Sequence, residues 1–148
     1  MSKSDSWENA LLLLLFNNTN AANIGDATGL RGSTTVGSLY FSLHTADPGD
    51  AGTQSTSEIS YTGYARVAVA RATGAGGFAV TANSVSPVSN VDFPVSTGGT
   101  GGTATFFGIG TSASGVGVLL YSGSISPSIV VSTGVQPRIT SASTITED

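Results

Sequence analysis

The sequence predicts an all-β chain, a jelly-roll-like β-sandwich with one short N-terminal helix. Three observations carry that expectation. Apolar and polar residues alternate over short runs, the period of a strand with one buried face. Turn residues separate these runs at the spacing of a sandwich or barrel. Gly is 20 of 148 residues, and Asp, Glu, Lys and Arg together are only 9%, against about 25% in an average globular protein. Ser and Thr therefore supply most of the polarity. Thr and Val suit a pleated, half-buried surface.

The helix comes first. Asp5 followed by Glu8 resembles a capping box, with Asp5 accepting an orphan N–H of the first turn. Trp7, Ala10, Leu11, Leu14 and Leu15 then fall at helical spacing. Asn17 and Asn18 are natural terminators. The apolar run from Ala10 to Phe16 is far shorter than the ~20 residues that span a bilayer. Acidic Asp5 and Glu8 stand where a secretory leader would be basic. Such a helix needs protein cover, on its own domain and in a neighbour. Residues 19–35 are rich in Gly, Asn and Thr and read as an extended arm.

Strands follow. Val36–His44 alternates Leu39, Phe41 and Leu43 with Tyr40, Ser42 and His44. Ala46–Asp50 is a turn, with Pro48 fixing φ and Gly49 tolerating the positive φ after it. Tyr64–Ala72 and Phe78–Asn83 are the next strands. Pro87 splits Val85–Phe93 into an edge strand or two short pieces. Thr103–Ile109 and Val116–Gly123 flank Gly110–Gly115 as a hairpin. Ile129–Val131 and Val135–Ile139 close the set. The organisation expected is a helix and arm over residues 1–35 and a β-sandwich over 36–148.

Composition excludes several functions. Net charge −4 argues against nucleic-acid binding, which needs a basic patch to neutralise phosphates. It also argues against docking on anionic lipid. Zero Cys removes disulfides, Cys-type zinc sites and thiol catalysis. The single His, His44, has no G-x-S-x-G partner motif. Its plain role is a strand-end ring bonding the adjacent turn. Asp47 and Asp50 form no calcium loop. The Gly-rich stretches 74–77 and 98–102 lack the Lys and the helix of a phosphate loop. No enzyme, metal or cofactor is expected. Interfaces are poor in Lys, Glu and Asp at their centres and enriched in Arg and aromatics. Trp7, Leu11, Leu14, Leu15, Tyr64, Arg66 and Arg71 are therefore the candidate partner-binding residues. The alternative for Arg66 and Arg71 is two exposed strand charges that deter edge pairing.

The stretch Ser38–Gly49 (SLYFSLHTADPG), Tyr61–Val67 (YTGYARV), Phe107–Gly110 (FGIG) and Leu119–Gly123 (LLYSG) resembles small structural proteins of tailed bacteriophages. The similarity covers about residues 36–140. It points to the capsid cement (decoration) proteins, close to those of a Bordetella podophage, a group whose members are also labelled tail fibre proteins. The resemblance implies a jelly roll and a homodimer on the outer capsid surface of the virion. The implied partner is a major capsid protein of the HK97-like fold, with no nucleic acid and no membrane. Such a protein would be made in the host cytoplasm and would bridge neighbouring capsomers against internal DNA pressure. Many modest contacts suffice on a lattice, because each second engagement is intramolecular. A strand added to a partner's sheet edge is one available contact. The alternative is a tail-fibre or receptor-binding module.

Overall fold

Helix α1 runs over Asp5–Asn17. Ser4, in extended conformation, holds the N-cap position that the sequence assigned to Asp5, and makes no side-chain cap bond. Asp5 and Glu8 lie in the first turn, where carboxylates favour the positive end of the helix dipole. Asn18 ends the helix in the left-handed region at φ 55°. The last turn carries no basic residue of its own. Arg71 supplies the charge from elsewhere in the chain. Its Nε donates to Leu15 O at 2.6 Å and its Nη2 to Leu14 O at 2.8 Å. Two carbonyls that a helix end leaves without partners are thereby satisfied by a cation.

The described residues, 2–147 of this computed structural model, are all-β apart from α1. The strands are β1 (Ser38–His44), β2 (Val67–Ala70), β3 (Phe78–Thr81), β4 (Ser84–Pro87), β5 (Val91–Asp92), β6 (Gly102–Gly110), β7 (Leu119–Val131), β8 (Arg138–Ile139) and β9 (Ile145–Thr146). They form sheets of order β2-β1-β6-β7, β3-β4-β9 and β5-β8. The β1–β6, β6–β7, β3–β4, β4–β9 and β5–β8 ladders are antiparallel. Pro87 ends β4, and the Val85–Phe93 run is two short strands, the second of the two outcomes that the proline allows.

The chain divides into two compact units. The first comprises residues 1–38, 69–90 and 140–148. Its core holds Leu12, Phe16, Ala21, Val69, Phe78 and Val85, all under 9% exposed. The helix docks here through Glu8, Leu12 and Phe16. Phe16 meets Phe78 edge-on, with centroids 4.9 Å apart. The face expected from Trp7, Ala10, Leu11, Leu14 and Leu15 is only half-buried. Apolar residues surround most of this helix, so periodicity alone did not select the docking face. Residues 19–35 also differ from the extended arm expected. Ala21 and Leu30 bridge antiparallel. The Asn18 side chain pairs with both backbone groups of Ser33 at 2.7 and 2.8 Å. Asparagine side chains mimicking backbone close this loop on itself.

The second unit comprises residues 39–68 and 91–139. Leu39, Phe41 and Leu43 are buried, as the alternation predicts. Ser42 and His44, on the other face of β1, are buried as well. Phe107, Ile109 and Ala104 of β6 join the core, with Phe41 and Phe107 stacked. The β6–β7 register breaks between Ala104 and Phe106. There Ile125–Ser128 forms a bulge, and a second shift between Ile109 and Gly110 leaves Leu120 unpaired, so two expected strands become one long irregular strand.

Candidate functional site

The second unit contains a hydrogen-bonded cluster centred on Arg66. The segment Glu58–Arg66 lies mostly outside regular strands, so strand parity does not dictate where its side chains point. Arg66 turns inward and leaves only 2% of its side chain exposed. Its Nε and Nη2 clasp the two Glu58 oxygens at 2.7 Å each. This is the bidentate fork that guanidinium and carboxylate geometry favours. The Glu58 carboxylate holds Arg66 above its ordinary pKa. Tyr64 donates its hydroxyl to Glu58 at 2.8 Å and accepts the Leu43 N–H at 3.1 Å. Burial pushes the Tyr64 phenol well above its usual range. The Tyr64 ring stacks on Phe93 and meets Tyr61 edge-on.

The remaining Arg66 donors reach across to the connection between β6 and β7. Nη1 donates to Ser112 O at 3.0 Å and Nη2 to Gly115 O at 2.7 Å. Gln54, fully buried, grips the same loop from the other side. Its Oε1 accepts the Ser112 N–H at 2.9 Å, its Nε2 donates to Tyr40 O, and its backbone N–H donates to Gly117 O. Ser55 Oγ adds a bond to Gly115 O at 2.7 Å. Thr111 and Val118 close the loop through two bonds of 3.1 Å. Gly117 has to be glycine. Its φ is +51°, and a Cβ there would lie 2.3 Å from Gln54 Oε1.

This scaffolding holds two apolar side chains in water. Val116 is 66% exposed and Val118 61%. Isolated surface valines are ordinary. Two on one loop, held by a largely buried ion pair and a buried amide, form an anchored apolar surface. A contact that is already ordered loses little conformational entropy on binding.

His44 forms a second polar pair. Its Nδ1 lies 2.8 Å from Thr56 O, an atom that only accepts, so Nδ1 carries the proton. Nε2 then accepts from Ser42 Oγ, also at 2.8 Å. Both residues are 0% exposed. They sit over Gly108, where an added Cβ would lie 2.6 Å from Nε2 and 2.7 Å from a Leu119 methyl. The hydroxyl–imidazole contact resembles that of a nucleophile and its base, but Gly108 and Leu119 seal it. Burial lowers the His44 pKa, with Glu58 and Arg66 acting in opposite directions on the ring. An unfolded histidine titrates near 6.5, so below that pH the unfolded chain binds the proton first. The stability this ring contributes is complete above pH 6.5 and falls on acidification towards the lower folded pKa. Urea midpoints measured across that range should decline with pH. The decline beginning at pH 6.5 should vanish in His44→Gln. Parallel curves for the two proteins would refute the assignment.

The sequence-selected residues thus separate. Tyr64 and Arg66 belong to the cluster, with their polar groups engaged inside the second unit. Arg71 caps α1 in the first unit, where Trp7, Leu11, Leu14 and Leu15 stand half-exposed. Arg66 is not the exposed strand charge of the alternative reading. Glu58, Gln54, Val116 and Val118 were not among the partner-binding candidates that the sequence supplied. Among the described residues, no group of His, Asp and Glu is arranged to hold a metal, and no helix is long and apolar enough to cross a membrane.

Comparison with known proteins supplies the class: this is a structural protein of a bacteriophage virion. Residues 2–146 match the family described as podophage GP4 fiber I protein gp80, and the chain belongs to that family. The match takes in α1, which the sequence resemblance left out. No curated protein matches the chain.

Proposed function

We propose that this protein is a capsid decoration protein. It binds the outer surface of an HK97-like shell, bridges neighbouring capsomers and carries out no catalysis. Its partners are the major capsid protein and a second copy of itself. The observation that carries this reading is the clamped loop presenting Val116 and Val118. The loop offers a shell protein an uncharged, preorganised contact, repeated as often as the lattice repeats. The family description, a fiber protein, favours a second reading, a fibre component. Quantitative mass spectrometry of purified particles separates the two. Copies in the hundreds per virion accord with decoration, and a handful accord with a fibre.

The contact itself is testable. Burying a valine contributes about 1.5–3 kcal/mol, and a carboxylate in its place would be desolvated without a partner. Val116→Asp with Val118→Asp should weaken binding to empty shells on the order of 100-fold, with the melting curve unchanged. Undiminished shell occupancy would remove this loop from the contact.

A further inference from the structure

The end of the four-stranded sheet shows a feature that neither the loop nor the helix accounts for. β7 is last in the order β2-β1-β6-β7, so one side of it is a sheet edge. Natural proteins blunt such edges with charges, above all Lys, with Pro, or with bulges. A four-residue bulge interrupts one half, and a smaller register shift between Ile109 and Gly110 leaves Leu120 out of the ladder near the start of the other. Ile125–Ser128 forms the bulge and contains Pro127. From Leu119 to Ser124 the strand carries neither proline nor charge. Ladder pairs Ile109–Tyr121, Gly108–Ser122, Phe107–Gly123 and Phe106–Ser124 hold this half in regular register with β6.

Charge distribution selects the occupant. No Asp, Glu, Lys, Arg or His occurs between Phe93 and Pro137, a run of 45 residues. At average composition about 11 would be charged. Every charge of the chain, net −4, lies outside that run. Two copies therefore repel over the rest of their sequence and least along this hairpin. An acidic or basic partner strand would find no complementary charge on the strand itself. A copy of the same strand brings no charge of its own, and the neighbouring charge is Asp50, which shares a surface pocket with Leu119–Ser122.

We propose that Leu120–Ser124 pairs antiparallel with the same segment of a second copy. The pairing joins two four-stranded sheets edge to edge about a two-fold axis. A two-fold antiparallel pair places one residue opposite itself. Ser122, exposed and central in the segment, occupies that position. The inference rests on the reading of a second copy as partner and assigns that partner its surface.

The chain has no Cys, so single cysteines report the geometry without background. Residues directly opposite in an antiparallel pair lie within disulfide range. In mild oxidant, Ser122→Cys should cross-link to a covalent dimer and Ser128→Cys, in the bulge, should not. Ser122→Lys sets two ammonium groups face to face. It should raise the dimer dissociation constant on the order of 100-fold in light scattering, with an unchanged far-UV spectrum and melting curve. A wild-type chain that stays monomeric at its highest soluble concentration overturns the proposal. So does a dimer that survives Ser122→Lys, or equal cross-linking of the two cysteine variants. A dimer that survives Ser122→Lys leaves the shell reading standing. A low copy number per virion defeats the shell reading and leaves the edge standing.

Discussion

Arg66→Ala should lower stability by about 3 kcal/mol, at the low end of the range for breaking a buried ion pair. The low end applies because Glu58 keeps 17% of its side chain in contact with water. Removing the guanidinium leaves the Glu58 carboxylate with the Tyr64 hydroxyl as its remaining side-chain donor. It also releases Ser112 O and Gly115 O from the loop clamp. Two effects are therefore superposed, and a double-mutant cycle separates them. Glu58→Leu with Arg66→Met removes the orphaned charge and should recover part of the loss. The loop contribution should remain lost, read as faster amide exchange over residues 111–118. A loss below about 1 kcal/mol in Arg66→Ala would mean that the pair behaves as a surface salt bridge.

Phe16→Ala should be at least as costly, about 3–5 kcal/mol, the usual range for emptying a buried phenylalanine site. Phe16 is fully buried against Phe78. Losing it removes both the transfer free energy and the ring contact that fixes the rotation of α1. Total stability of a domain is commonly about 5–15 kcal/mol, so the helix should detach early in urea. Trp7, the only tryptophan of the chain, reports that event by fluorescence. An unmoved Trp7 transition in Phe16→Ala would show that α1 is held by a different face.

Local chemistry was legible in the sequence. The span of α1, the positive-φ Gly49 turn, the break at Pro87 and the β6–β7 hairpin each follow from residues close together in the chain. Asp47 accepts the Gly49 N–H in that turn at 2.9 Å, as its composition requires. Non-local features were not legible. Glu58 and Arg66 are joined by an irregular segment, so neither helical nor strand spacing places them together. Residues 51–60 read as a polar loop, yet Gln54 is wholly buried because its amide replaces backbone partners for Ser112 and Tyr40. The docking face of α1 was ambiguous because hydrophobicity encircles the helix. Phe78, far along the chain, settles it. One signal lay in plain view: the charge-free run from Phe93 to Pro137 marks the hairpin that carries both the valine loop and the sheet edge.

That run also sets how assembly responds to its medium. Mobile ions weaken attractions between exposed charges over about 10 Å at 0.1 M ionic strength, and here they find nothing to weaken. The joints proposed for this hairpin should keep their grip in brine, and sulfate or phosphate, which favour burial of apolar surface, should tighten them. The same neutrality gives up long-range steering, so encounters proceed at the unassisted rate of about 10⁵–10⁶ M⁻¹s⁻¹. On the proposed decoration reading, crowding of many copies in the infected cell, rather than attraction at a distance, would govern how quickly a shell is covered.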